Sequence, residues 1–211
     1  MTTAAAIIAG GGAQRLGGIT KGLLTIDGRR IIDRQLEALQ PTFDHLFLVT
    51  NDPTIWADLG ATVQLVADRV PAGAGPLAGI DAALAALPAA ADAVVCIAGD
   101  MPFVTPSSLA LLRDHAPGAD AVVARVAGHP EPLFARYARR LLPQVSAQLA
   151  RGDGAVHHLL RDIALSRDIA LSIAWLDEPA LRAVDPTLSF LENINTAAEL
   201  ARARGRSRQI D

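Results

Sequence analysis

Residues 5–21 read Ala5-Ala6-Ile7-Ile8-Ala9-Gly10-Gly11-Gly12-Ala13-Gln14-Arg15-Leu16-Gly17-Gly18-Ile19-Thr20-Lys21. An apolar run of strand length empties into a glycine-rich loop that carries one Arg and then one Lys. Glycine lets backbone N–H groups approach an anion without obstruction, and two cations can neutralise phosphates. A strand ending in such a loop predicts a triphosphate site at the carboxyl edge of an α/β sheet. Taken alone, Gly17-Gly18 would serve equally well as a strand-to-helix turn. The strand, loop, Arg and Lys together point to phosphate. Two familiar loops do not fit. The Walker pattern needs Lys-Ser/Thr directly after its last Gly, and Gly17 is followed by Gly18 and Ile19. The dinucleotide fingerprint starting at Gly10 needs a third Gly where Arg15 stands.

Beyond the loop, short apolar runs alternate with helical patterns. That predicts βαβ units: a mostly parallel, twisted sheet flanked by helices, Rossmann-like and three-layered. Strands are expected at 4–9, 45–50, 62–67, 93–98 and 119–126. The run 93–98 has no polar alternation and should be central. Helices are expected at 29–40, at 77–87 and after Thr105-Pro106, where Thr is the N-cap and Pro the first helical residue. Leu133-Phe134-Ala135 reads as a short strand. Residues 137–150 read as a helix with Pro143 in its first turn or at a bend. Arg-Asp-Ile-Ala-Leu-Ser occurs at both 161–166 and 167–172, a local duplication that leaves the helix-to-strand boundary there open. Thr196 and Glu199 have capping-box spacing, so a last helix should begin just after Thr196.

No composition shift marks a boundary, and 1–211 reads as one domain, its N-terminal half for nucleotide and its C-terminal half for a second substrate. Hydrophobic residues make up 51% and aromatics 4%, so the core must be mainly Ala, Leu, Ile and Val. A formal net charge of −3 gives no reason to expect nucleic acid or an acidic membrane as partner. The basic residues from Arg202 to Arg208 read as a solvated last helical turn. The single cysteine, Cys96, lies in an apolar run and reads as an inert buried thiol. No apolar segment reaches membrane-spanning length and no signal peptide is evident, which favours the cytoplasm.

A second motif is Cys96-Ile97-Ala98-Gly99-Asp100-Met101-Pro102-Phe103. A buried strand here delivers one carboxylate at its end, next to a tight turn, where a nucleotide-bound Mg²⁺ needs a hard oxygen ligand. Asn51 and Asp68 follow the second and third strands. Alone they read as turn residues, but both fall beside the same crevice, where an amide can meet a base edge or ribose. Asn193 and Asn195 would project to one face of a short strand, suited to a second substrate or to a buried hydrogen-bonded pair. His157-His158 cannot readily share an ion, since adjacent helical residues point about 100° apart.

The pattern Ala-Gly-Gly-x-x-x-Arg-Leu-Gly-Gly followed closely by Lys resembles the nucleotidyltransferases that activate small molecules with NTP. More closely it resembles the molybdenum cofactor guanylyltransferases, the MobA-like NTP transferases, from residue 8 to residue 195. The resemblance implies that Ile8, Ala9, Gly10 and Gly11 hold the guanine nucleotide, with Asn51 and Asp68 in the same GTP site. It implies that Arg15 and Lys21 contact the triphosphate and that Asp100 binds nucleotide and Mg²⁺. Here the family's Cys-Asp turn is Gly99-Asp100, which leaves the carboxylate in place. Gly75-Pro76-Leu77-Ala78-Gly79 matches the family's Gly-Pro-Leu-x-Gly turn. His129-Pro130-Glu131-Pro132-Leu133-Phe134 resembles a segment lining the acceptor side, and Asn193 and Asn195 resemble an acceptor-side Asn-x-Asn-Thr motif. The implied activity is Mg²⁺-dependent transfer of GMP from GTP to molybdopterin or the molybdenum cofactor, with release of pyrophosphate. A recipient molybdoenzyme is a further implied partner. The alternatives are a cytidylyl- or sugar-phosphate nucleotidyltransferase, or a nucleotide-binding adaptor without catalysis.

Overall fold

The computed structural model describes residues 2–9, 19–71, 73–165 and 171–207. Nine strands are described: β1 (Thr2–Ile8), β2 (Thr25–Ile26), β3 (Arg29–Arg30), β4 (Leu46–Val49), β5 (Gln64–Val66), β6 (Ala91–Ala98), β7 (Ala121–Val126), β8 (His129–Ala138) and β9 (Ile173–Asp177). The helices are α1 (Ile31–Leu39), α2 (Pro76–Ala85), α3 (Pro106–Asp114), α4 (Leu142–Ala150), α5 (Val156–Leu165), α6 (Glu178–Val184) and α7 (Ala197–Ser207). One sheet of seven strands runs β5-β4-β1-β6-β8-β7-β9, and β2 pairs with β3 in a small hairpin. In the large sheet only β8 is reversed. Its pairings with β6 and β7 are antiparallel and the remaining pairings are parallel.

Strand alternation explains why the sheet is covered on both faces. Ala4, Ala6 and Ile8 of β1 join a core with Leu77, Ile80 and Leu84 of α2 and with Val145 and Leu160 of α4 and α5. Ala5 and Ile7 join the opposite core with Ile32 and Leu36 of α1, Leu109 of α3 and Leu181 of α6. Side chains two apart share a face, so one strand feeds both cores. Each fully buried Leu, Ile or Phe contributes about 1.5–3 kcal/mol. With few aromatics the layers come close. A Cβ on Gly79 of α2 would lie 2.6 Å from Ile8 Cγ2, so that helix sits on β1 only because Gly79 has no side chain.

Most expected elements are present, with shifted ends. The strand 93–98 is the middle member of the large sheet. Three regions differ. Residues 29–30 belong to the hairpin and not to the helix that follows, because Asp27 (φ 51°) and Gly28 (φ 76°) make a tight left-handed turn that folds Arg29–Arg30 back on Thr25–Ile26. The short strand at 133–135 is the middle of the ten-residue β8, which takes residues 137–138 from the expected helix. Pro143 then sits in the first turn of α4, where its missing N–H is tolerated. Residues 193–195 are not in a strand, since only Ile194 N–H bonds across, to the Asp100 carbonyl at 2.9 Å. In the duplication, residues 161–165 are helical, whereas Leu171 and Ser172 of the second copy lead into β9; residues 166–170 lie outside the described part.

Two caps appear where the sequence placed them. Thr105 and Ser108 form a reciprocal capping box at the start of α3. Glu199 accepts from Thr196 N–H at 2.8 Å while Thr196 Oγ1 accepts from Glu199 N–H at 3.2 Å. The α7 helix then packs back on the hairpin through Ala203 and Leu200 against Leu24, Ile26 and Ile31, with Ile194 in the same small core.

Candidate functional site

The carboxyl ends of the parallel strands form one edge of the sheet, and the candidate residues gather there. β1 ends at Ile8, whose carbonyl accepts from Gly99 N–H at 3.0 Å, while Ala9 N–H donates to Val49 O at 2.9 Å. These bonds tie the end of the first strand to the turn after β6 and to β4. Gly10, Gly11 and Arg15, expected to bind nucleotide and triphosphate, lie outside the described residues.

Lys21 and Asp100, 79 positions apart, meet: Lys21 Nζ donates to Asp100 Oδ2 at 2.7 Å. The same ammonium donates to Asn195 Oδ1 at 2.5 Å, across 174 positions. The pair is partly buried, with side-chain exposures of 25% for Lys21 and 13% for Asp100. An ammonium has three protons, so these two bonds leave one for a ligand. Asp100 Oδ1 accepts no hydrogen bond among the described residues and remains a hard oxygen donor at the mouth of the cleft.

Local structure explains how each arm arrives. Lys21 opens a short 3₁₀ turn, Lys21–Leu23. A Cβ on Gly22 would lie 2.8 Å from the ring of buried Trp56, so glycine is needed for this turn to seat beside the Gly99-Asp100 corner. Asp100 follows β6, and the buried Gln35 of α1 braces its turn: Gln35 Nε2 donates to Ala98 O at 2.7 Å and to Met101 O at 3.1 Å. Asn195 is carried in by the Ile194–Asp100 backbone bond and held by Glu199, which accepts from its N–H at 2.6 Å.

A cleft of about 280 Å³ lies alongside, lined by Pro76, Ala98, Asp100, Glu131, Asn193 and Asn195 among others. Pro76 is the first residue of α2, where the structure makes most of the Gly-Pro-Leu-x-Gly segment helical, and Glu131 comes from the Pro-Glu-Pro-Leu-Phe segment at the start of β8. Asn193 keeps its own loop in shape by donating to Leu191 O at 3.2 Å.

Asn51 and Asp68 meet each other but are not in that lining. Asn51 Nδ2 donates to Asp68 Oδ2 at 2.8 Å, and Asp68 N–H donates to Asn51 Oδ1 at 3.1 Å. This reciprocal pair joins the ends of β4 and β5, on the side of β1 away from β6. Arg69, the next residue, is anchored to the buried Asp81 of α2 at 3.1 Å, and Ser146 Oγ donates to the same carboxylate at 2.5 Å.

Asp100 is the carboxylate that Lys21 holds at this corner, and no group of three His, Cys, Asp or Glu side chains able to hold a metal exists among the described residues. One available carboxylate oxygen fits Mg²⁺ carried on phosphates, since that ion keeps several waters and takes one or two protein carboxylates. Cys96 is buried in β6, and burial pushes its thiol pKa up, which keeps it inert. Gln35 was not singled out by the sequence, although a Gln inside the apolar stripe Ile32–Leu36–Leu39 is the signal that marks it.

Comparison with known proteins identifies the family. Residues 5–168 match the model of the MobA-like NTP transferase domain. A protein of Methanosarcina mazei described as a probable molybdenum cofactor guanylyltransferase is 31% identical over 97% of this chain and 91% of its own length. The molybdenum cofactor guanylyltransferase of Vibrio cholerae is 32% identical over 92% of this chain and 88% of its own. The crystal structure of molybdopterin-guanine dinucleotide biosynthesis protein A from Archaeoglobus fulgidus superposes with a TM-score of 0.80 at 28% identity, over 98% of this chain and 99% of that one. Matched along most of its length in sequence and in fold, the chain belongs to the MobA-like NTP transferase family.

Proposed function

We propose that this protein transfers GMP from GTP to molybdopterin or the molybdenum cofactor and releases pyrophosphate. A terminal phosphate oxygen of the acceptor attacks the α-phosphorus of GTP. The bond from that phosphorus to the β-phosphate oxygen breaks, and a guanine dinucleotide results. The observation that carries the reading is the meeting of Lys21 with Asp100 and Asn195, two residues that line one cleft. The family and the names of the relatives supply the substrates.

The attacking group is already an anion, so the chain needs no strong base, and catalysis reduces to positioning and charge. Lys21 lowers the repulsion between the incoming phosphate and the triphosphate. Its bonds to Asp100 and Asn195 preset the ammonium, so little reorganisation accompanies binding. Arg15 and the amides around Gly10 and Gly11 serve the triphosphate, and Ile8 and Ala9 help to hold the guanine nucleotide. Asn51 and Asp68 hold the nucleoside end, and Asn193 and Asn195 face the acceptor. Asp100 would hold Mg²⁺, which when bound supplies charge neutralisation on the phosphates. We read the chain as one unit, nucleotide on the β1-β4-β5 side and acceptor on the β8 side, working in the cytoplasm where GTP is available.

The test is incubation with molybdopterin and each of GTP, CTP, ATP and UTP, with and without Mg²⁺, followed by mass analysis of products and assay of pyrophosphate. A guanine dinucleotide formed only with GTP and Mg²⁺ is expected. Product with CTP instead makes it a cytidylyl enzyme, and nucleotide binding without pyrophosphate release makes it an adaptor.

A further inference from the structure

The registers around β8 contain an interruption that the reaction above does not use. Val123 of β7 pairs with Ala135, but the next residue, Ala124, pairs with Glu131. One step on β7 spans four on β8, and Pro132 and Leu133 pair with neither neighbouring strand. Bulges of this kind re-aim side chains and gather beside active sites. This one is pinned from below: the buried Tyr137 hydroxyl donates to Pro132 O at 2.7 Å. Pro130 and Pro132 flank Glu131, and each fixes its own φ. The result is a stiff projection whose one charged side chain, Glu131, lines the cleft with Asp100, Asn193 and Asn195.

Glu131 is half-buried, and among the described residues its carboxylate has neither a hydrogen-bond donor nor an ion-pair partner. Burial raises its pKa, against the opposing pull of His129. A partly desolvated carboxylate without donors is costly unless a ligand supplies them. Two adjacent N–H groups match the two carboxylate oxygens best. A pterin presents such an edge, its 2-amino group beside a ring N–H, and guanine presents the same one. Glu131 stands on β8, with β6 and β1 between it and the Asn51–Asp68 pair, so the acceptor is the nearer source.

We propose that Glu131 is a specificity residue for the acceptor, its carboxylate pairing with the 2-amino and ring N–H donors of the pterin. The proposal rests on the guanylyltransferase reading above. Its test compares wild type with Glu131→Gln, after circular dichroism and melting show that both fold alike. Binding of 6-hydroxymethylpterin is measured against 6-hydroxymethyllumazine, in which oxygen replaces the 2-amino group, and GTP binding and the Mg²⁺ requirement are measured alongside. Wild type should prefer the pterin by about 10-fold or more, the scale of hydrogen bonds to a charged group. E131Q should lose that preference, while GTP affinity and the Mg²⁺ concentration for half-maximal activity stay unchanged. Unchanged pterin preference in E131Q overturns the proposal and leaves the transferase reading intact. Weakened GTP binding instead assigns Glu131 to guanine, and a raised Mg²⁺ requirement assigns it to the metal; either overturns the proposal. A wild-type protein that binds no pterin and forms no dinucleotide overturns both readings.

Discussion

The two halves of the large sheet deliver functional groups by different means. In the parallel half, β5-β4-β1-β6, Ile8, Asn51, Asp68 and Asp100 lie at or just after the ends of their strands, all on the carboxyl edge. The β1–β4 and β4–β5 registers run without a shift, and the β1–β6 irregularity lies at Thr2/Thr3, the far end from the site. In the other half, reversed β8 points its beginning at that edge, and Glu131 arrives because the ladder is interrupted. A parallel strand places a residue by ending. A reversed strand places one by breaking register, and that break is visible only once its partners are known.

The largest effect should come from the parallel half. Asp100→Asn should cut turnover by about 10³-fold or more while the circular dichroism spectrum is unchanged, because the carboxylate, not the shape, is lost. Ordinary Mg²⁺-dependent activity in that variant would remove the metal assignment. Lys21→Ala should lower kcat/KM for GTP by about 10²-fold, the usual cost of one charge-stabilising donor. A purely structural role would lower the melting temperature instead and spare kcat.

Tyr137→Phe tests the reversed half. It leaves Pro132 O without its donor, and the loss should be about 1–3 kcal/mol in stability. Steady-state kinetics should also show a raised KM for the acceptor with an unchanged KM for GTP. Equal effects on both substrates would mean that the bulge does not serve the acceptor side in particular. Asn51→Ala breaks only a surface pair, so KM for GTP should rise by about fivefold, or about 1 kcal/mol.

The smallest effect concerns Asp185, in the turn before the Asn193–Asn195 limb. Burial would raise its pKa, but hydrogen bonds from the side chains and backbone N–H groups of Thr187 and Ser189 outweigh that and bring it from 3.8 to about 2. A lowered carboxylate pKa means stability that is complete above 3.8 and lost as pH falls toward about 2. Melting temperatures of wild type and Asp185→Asn should therefore differ above that window and converge within it. A constant gap would show that Asp185 acts through shape alone.

The sequence by itself determined the α/β class, the strands of the parallel half, the caps at Thr105 and Thr196, and Lys21 and Asp100 as residues to watch. These follow from local chemistry: an apolar run, a glycine loop, a cap spacing or a carboxylate at a strand end is written within a few neighbouring positions. The tertiary structure alone decided the reversal and bulge of β8, the small hairpin that replaces the start of the first helix, the support of Asp100 by Gln35, and the approach of Asn195 to Lys21 from the far end of the chain. Each depends on which distant segment lies alongside. Glu131 carries the same side chain in a regular strand and in an interrupted one, and only the pairing of β8 with β6 and β7 turns it into the cleft.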